Sequence, residues 1–474
     1  MELCYPASVR LLVFAWCILA ASAAPADPWL RVRSANFELF TTAGEKNGRD
    51  LVRHFEQVRS FFLQAFQLDG VRREPVRIIS FRSDKEYQPY RPSEVAEAFF
   101  QPGIDHDYIV MKNSSRELYA AATHEYTHLL LRQTRIEIPL WLNEGLAELY
   151  SSLEPSGDKI VVGVLIGGRL QTLTRETWIP LPTLLSVTTA SPLYNEKSHA
   201  GVFYAESWAL VHMLSLDDWY QPRLSALLEA LKTNDSATAF QKAYGKTLEQ
   251  VQADLRAYFD GHPLYGAVFD VQLRKSVDAP EIQTNAALPA RLALAELLSN
   301  DTASLTRAQA AFKQLAHDYP DRWQVEEGWA DFFARERRNT DALQHFARAA
   351  ALGSTDARMY IAYGRLLNAA NRSPDAVASF RQAIRLDPSL DDAHFELAIS
   401  LVRAGTWREA VSEFHLIKHL DSQAGYRYFY YLAYAHARLG DTEQARALLG
   451  KARSYTHNPE QLSALDQLQN SLEH

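Results

Sequence analysis

Five consecutive residues, His124-Glu125-Tyr126-Thr127-His128, combine the side chains that a hydrolytic metal site requires. Two histidines four apart lie on one face of an α-helix, so their imidazoles can converge on a single ion. Zinc suits two nitrogen ligands and one carboxylate, which leaves a fourth position for water. Glu125, next to the first histidine, can reach that water and act as general base. The flanks, Leu118 to Thr123 and Leu129 to Leu131, are largely apolar and lack Pro and Gly, as a buried, rigid helix demands.

The third ligand has to come from elsewhere. Glu144 lies sixteen residues beyond His128 in the stretch Pro139-Leu140-Trp141-Leu142-Asn143-Glu144-Gly145-Leu146-Ala147-Glu148. That distance allows a turn, favoured by Pro139, and a second helix to bring a carboxylate back to the ion.

HEYTH followed by WLNEGLAE resembles the gluzincin branch of the HExxH zinc metallopeptidases, in particular the peptidase MA-like domains often fused to tetratricopeptide repeats. The resemblance spans roughly residues 29–260, although its motifs occupy a small part of them. It implies that Glu144 completes a zinc site with His124 and His128. It also implies that Glu148, one turn later, braces a ligating histidine from outside, with Asn143 in the same supporting layer. Two departures are informative. The gap between His128 and Glu144 is shorter than in many aminopeptidase gluzincins, and the GxMEN element that captures a free amine is absent. The shorter gap leaves Glu144 the choice, and the missing GxMEN argues against an aminopeptidase and leaves an endopeptidase or a specialised hydrolase open.

Further along, Phe203-Tyr204-Ala205-Glu206-Ser207-Trp208-Ala209-Leu210-Val211-His212 is similar to a segment found downstream in such domains. Stabilising a developing oxyanion needs a hydrogen-bond donor near the metal, and Tyr204 and His212 are the candidates, with Tyr204 slightly ahead. Tyr204, Trp208 and Val211 also fit a plain apolar stripe. The strand Tyr108 to Met111 is either an ordinary edge strand or a place where an extended peptide pairs. His415 and His419 have ligand-like spacing without an acidic partner motif; His54, His106 and His199 lack any constellation.

These residues need a scaffold. Leu30–Arg33 and Phe37–Phe40 alternate apolar and polar side chains as half-buried strands do, and Val76–Phe81 and Tyr108–Met111 read as further strands. Residues 48–66 carry a helical stripe of Leu51, Phe55, Val58, Phe62 and Phe66. Helical patterns dominate from Glu117 to Leu231, interrupted by a hairpin-like strand at Lys159–Leu165. Beyond residue 290 the pattern changes. Ala308, Ala342, Ala376 and Ala410 step by 34, with Ala445 after 35; Phe312, Phe346, Phe380, Phe414 and Leu449 follow the same steps. Ala330, Gly364, Ala398 and Ala433 form a third column. This period resembles the tetratricopeptide repeat, which implies an all-α solenoid that binds peptides or protein partners, or serves architecture alone.

The expected fold class is therefore an α+β metallopeptidase-like domain, a small mixed sheet plus an HExxH helical bundle, followed by an all-α repeat solenoid. Its expected parts are a signal peptide (1–23), the metallopeptidase-like domain (27–260), a connector (261–289) and the repeats (290–474).

Composition narrows the setting. In 474 residues, 47% hydrophobic and 22% charged side chains match a soluble globular chain. A net charge of -8 argues against nucleic-acid binding through clustered Lys and Arg. Arg10, the apolar run Leu11 to Ala21 and the small residues Ser22, Ala23 and Ala24 form a signal-peptide pattern, with cleavage before Ala24. Both cysteines, Cys4 and Cys17, lie inside it, so a mature chain builds its site without thiolates. No later stretch is apolar enough to span a membrane. The expectation is a secreted or periplasmic zinc metallopeptidase that hydrolyses peptide bonds with a zinc-activated water and Glu125 as base. The alternative is a non-catalytic envelope scaffold with a structural or degenerate zinc domain.

Overall fold

The computed structural model describes residues 29–473 except 66–74, 95, 104–105, 114–117, 134–136, 157–158, 196, 262–263, 265, 272–279 and 421–423. The expected export segment, with both cysteines, lies outside the described residues, as does Phe66. The chain divides into two compact units, residues up to 287 (less 102–104) and residues 288–474.

In the first unit, β1 (Leu30–Arg33), β2 (Phe37–Thr41), β3 (Val76–Ser80), β4 (Ala98–Gln101) and β5 (Tyr108–Met111) build most of a mixed six-stranded sheet. Helix α1 (Glu45–Ala65) links β2 to β3, and the short α2 (Asp84–Tyr87) links β3 to β4. A helical layer follows: α3 (Tyr119–Gln133), α4 (Leu140–Ser151), α5 (Gly167–Arg175), α6 (Leu181–Leu185), α7 (Pro192–Asn195), α8 (Lys197–Leu216), α9 (Leu224–Leu231), α10 (Ser236–Tyr244) and α11 (Leu248–Gly261). The strand pair β6 (Glu154–Ser156) and β7 (Lys159–Val162) sits between α4 and α5.

Residues 261–289, expected as a connector, contribute to both sheets. Strand β8 (Ala267–Asp270) pairs with β7, and β9 (Glu281–Gln283) pairs with β1. The large sheet thus runs β4-β5-β3-β2-β1-β9, with β2, β3 and β5 parallel and the outer pairs antiparallel. Val32, Phe37, Leu39, Ile78, Ile109 and Met111 of the sheet and the α1 stripe of Leu51, Phe55, Val58 and Phe62 pack into one core with Tyr126 and Leu129 of α3. Buried Glu38 on β2 lies opposite Arg77 on β3, which donates to it at 2.9 Å, while Arg31 on β1 also donates to it. Burial opposes ionisation of Glu38, but the two guanidinium groups outweigh it and hold its carboxyl below the usual range.

The second unit opens with α12 (Ala287–Ser299) and α13 (Leu305–Asp318), continues as helix pairs, α14 (Trp323–Arg335) with α15 (Asn339–Ala351), α16 (Ala357–Ala369) with α17 (Ser373–Leu386), α18 (Asp391–Arg403) with α19 (Trp407–Leu416) and α20 (Gly425–Arg438) with α21 (Thr442–Arg453), and closes with α22 (Pro459–Asn470). The periodic alanines and phenylalanines are all buried. Glycine in the small-residue column has a steric cause: a Cβ on Gly364 would sit 2.5 Å from Cε1 of Phe380 in the following helix.

The structure adds a further periodic column. Arg337, Asn371, Gly405 and Gly440, at the turn inside successive pairs, all have positive φ. An L side chain in this left-handed region costs roughly 1–2 kcal/mol, and glycine escapes that cost at the expense of unfolded-state entropy. Arg337→Gly is therefore expected to stabilise the chain by about 0.5–1 kcal/mol, read as a raised thermal midpoint of the repeat transition. A lowered midpoint would mean that the Arg337 side chain stabilises the turn.

Candidate metal centre

Helix α3 presents two faces. Ala122, Tyr126, Leu129 and Leu130 are buried against the sheet and α1, and His54 of α1 meets Thr123 at 2.9 Å. The partly exposed His124, Glu125 and His128 occupy the other face. Pro139 precedes α4 and accepts from the Leu142 and Asn143 amides, which starts the helix that carries Glu144. Helix α4 then buries two carboxylates four residues apart, Glu144 at 3% and Glu148 at 5% exposure. Buried carboxylates need compensation, and each finds it here.

The convergence is tight. His124 Nε2 and His128 Nε2 lie 3.1 Å apart, and Glu144 Oε2 is 3.4 Å from each. Ligand atoms at about 2.0–2.1 Å from a tetrahedral zinc stand roughly 3.3–3.4 Å from one another, so the triangle has the dimensions of three corners around an ion. Glu144 Oε2 is buried and has no hydrogen-bond partner. Burial raises the Glu144 pKa, but the two imidazoles prevail and bring it down to about 2. Three carboxylates, Glu125, Glu144 and Glu148, gather at the triangle, and Arg169 pairs with Glu148. These residues fit a bound zinc ion.

The other ring nitrogens are held from outside. His128 Nδ1 meets Asn143 Oδ1 at 3.0 Å, and His124 Nδ1 lies 3.5 Å from Glu148 Oε1. A proton on each Nδ1 leaves each Nε2 with a lone pair facing the triangle. Arg169 of α5 holds Glu148 with two bonds, Nε to Oε2 at 2.8 Å and Nη2 to Oε1 at 2.5 Å. Its guanidinium also lies over the Tyr204 ring, 5.4 Å from the centroid.

A cleft of about 490 Å³ opens beside the triangle, lined by His124, Glu125, Glu148, Ile166, Arg169 and Tyr204 among others. Glu125 Oε2 accepts from the Phe100 amide at 3.2 Å. Burial pushes the Glu125 pKa upward against the pull of both histidines.

Three expectations are refined or corrected. Tyr204 lies on the cleft wall, with its ring 6.4 Å from that of His124. His212 does not line the cleft: it is fully buried, and both ring nitrogens are taken, by the Tyr258 hydroxyl at 2.9 Å and the Gly163 carbonyl at 3.1 Å. Its place is the packing of α8 against α11. The strand Tyr108–Met111 is not an edge, because β3 and β4 flank it on both sides; β4 is the edge. Ala98-Phe99-Phe100-Gln101 has no apolar alternation to announce a strand, and all four residues are half-buried. In the second unit, His419 pairs with Asp391 at 3.3 Å.

Two side chains at the site carry no sequence signal. Arg169 follows a glycine pair in an unremarkable stretch, and Tyr194 of α7 donates to Glu144 Oε1 at 3.1 Å. Neither belongs to a motif; only the fold brings them to α4.

Family models for the tetratricopeptide repeat match residues 301–357, 361–424 and 427–455. The C-terminal region is a solenoid of these repeats. Among solved structures, the chain is similar to YrrB, described as a TPR protein with an unusual peptide-binding site, at 21% identity and a TM-score of 0.34, covering 38% of this chain and 90% of that one. It is also similar to MamA, at 17% identity and a TM-score of 0.30 (32% and 89% covered). A third likeness is to PilW, described as a widely conserved type IV pilus biogenesis factor, at 18% identity and a TM-score of 0.32 (40% and 91% covered). No curated protein matches the sequence. Among the described residues, no helix is long and apolar enough to cross a membrane.

Proposed function

We propose that this chain is an exported zinc metallopeptidase, an endopeptidase of gluzincin type, whose repeat unit recruits protein substrates or partners. What carries the proposal is the triangle of His124 Nε2, His128 Nε2 and the otherwise unpartnered Glu144 Oε2, with the Glu125 carboxylate beside it on α3. The chemistry supplied by a bound zinc ion is Lewis acidity, which acidifies water and polarises a carbonyl.

The protein groups divide the remaining work. Phe100 N–H steadies Glu125 through Oε2, and the Glu125 carboxylate takes a proton from water and returns it to the leaving nitrogen. Asn143 and Glu148 fix the imidazoles, and Arg169 fixes Glu148. Tyr204 is the candidate donor to the developing oxyanion. Substrate placement follows from β4. Lys112 N–H bonds to Glu97 O, so in this antiparallel pair residues 99 and 101 face β5, while the backbone groups of Ala98 and Phe100 face away from it. A peptide laid along that edge would pair with Ala98 and the Phe100 carbonyl, since the Phe100 N–H is held by Glu125, and would pass beside that carboxylate. Tetratricopeptide repeats suggest protein partners, and a solenoid joined to such a site can hold a protein while an extended segment of it is cut.

The test is digestion of an unbiased peptide library by the purified mature chain. Internal cleavage that a chelator stops and added zinc restores is the expected result. A chain that retains zinc and cuts nothing would favour the scaffold alternative.

A further inference from the structure

Glu144 uses its two oxygens differently. Oε2 faces both imidazoles and has no hydrogen-bond partner, while Oε1 accepts the Tyr194 hydroxyl proton at 3.1 Å. The Tyr194 ring is wedged against α8, edge-on to Phe203 at 5.9 Å and tilted on Tyr204 at 6.0 Å. Its hydroxyl is thus delivered by a packed ring rather than by a free side chain. A carboxylate can grip a metal with one oxygen or two. The second oxygen of a chelating Glu144 would occupy coordination space that hydrolysis needs for water.

We propose, resting on the zinc reading of this site, that Tyr194 is a positioning residue that holds Glu144 Oε1 away from the ion. Glu144 then ligates through Oε2 alone, and the water position stays open. Tyr194 touches a ligand and not the reacting atoms, so its effect appears first in coordination. The Tyr204 hydroxyl in turn interacts with that of Tyr194, so the cobalt spectrum, which reads the ligand sphere, and not hydrolysis alone, reports the restraint on denticity.

The experiment replaces the native metal by cobalt(II), whose visible absorption weakens as coordination rises from four to five. The wild-type chain is expected to take up one cobalt with an intense four-coordinate spectrum. Tyr194→Phe should still bind it, with a clear loss of absorption intensity and a fall in peptide hydrolysis of roughly tenfold or more, the usual scale for outer-sphere partners of metal ligands. On a Glu144→His background, where the ligand has a single donor atom and no second oxygen to restrain, Tyr194→Phe should leave the spectrum unchanged. An unaltered spectrum in the single variant, or the same loss on the histidine background, overturns the denticity role. Failure of the wild-type chain to bind cobalt or zinc overturns the metal reading itself, so the two failures are distinct.

Discussion

Glu125→Gln is expected to lower peptide hydrolysis by about 10²–10⁴-fold while leaving metal content at the wild-type level. The amide has the shape of the carboxylate and keeps an oxygen to accept the Phe100 N–H, so β4 stays in place beside α3. It cannot take a proton from water. His124, His128 and Glu144 are untouched, and none of their close contacts involves Glu125. The separation of activity from occupancy is what assigns the base. Turnover within about threefold of wild type, measured on the fastest-cut library peptide with zinc quantified in the same sample, would remove Glu125 from that role. Loss of zinc together with activity would instead make Glu125 a structural support of the site.

The parts of the centre that were legible in the sequence are those encoded by local spacing. The four-residue interval on α3 places the two histidines on one face, and the same interval on α4 places Glu144 and Glu148 on one face. The choice of Glu144 as the third candidate ligand came from the resemblance, and its carboxylate lies 3.4 Å from both imidazoles. Asn143 and Glu148 follow, since each reaches one Nδ1. Long-range contacts were not legible. Arg169 reaches Glu148 across 21 residues and Tyr194 reaches Glu144 across 50, with no periodicity to advertise either. Strand β4 escaped because Ala98-Phe99-Phe100-Gln101 sets two aromatic rings side by side and all four residues are half-buried, so its sequence shows no two-residue alternation. His212 misled for the opposite reason. Helix α8 is buried nearly all round, so its sequence does not say which polar side chain faces the cleft and which is satisfied inside the core. In the repeats, 34-residue columns revealed the helix pairs, while the left-handed turn column of Arg337, Asn371, Gly405 and Gly440 mixes residue types and needs backbone angles to be seen.

The largest stability effect is expected at Gly145, where the NEG segment meets α8. A Cβ at this position would sit 2.4 Å from the Ser207 carbonyl oxygen and 2.5 Å from Cγ2 of Val211. The first neighbour is helical backbone and cannot rotate aside, so α4 and α8 must separate or tilt. Overpacking of this kind typically costs about 1–3 kcal/mol and occasionally more; contact with backbone places Gly145→Ala at the upper end, about 3 kcal/mol. The motif glycine thus serves the site indirectly. It lets the helix carrying Glu144 and Glu148 rest directly on the helix carrying Tyr204 and the rings that hold Tyr194. A shift of α4 by a fraction of an ångström would open the 3.4 Å contacts from Glu144 to both imidazoles, so zinc affinity is expected to fall together with stability. Gly168→Ala supplies the control, because a Cβ there meets nothing within 4 Å and that glycine is the second residue of α5, next to Arg169. Denaturant midpoints and zinc titrations of both variants separate the effects. A Gly145→Ala chain as stable as the Gly168→Ala chain would mean that α4 and α8 do not need this close approach, and that the glycine in NEG answers to something other than packing.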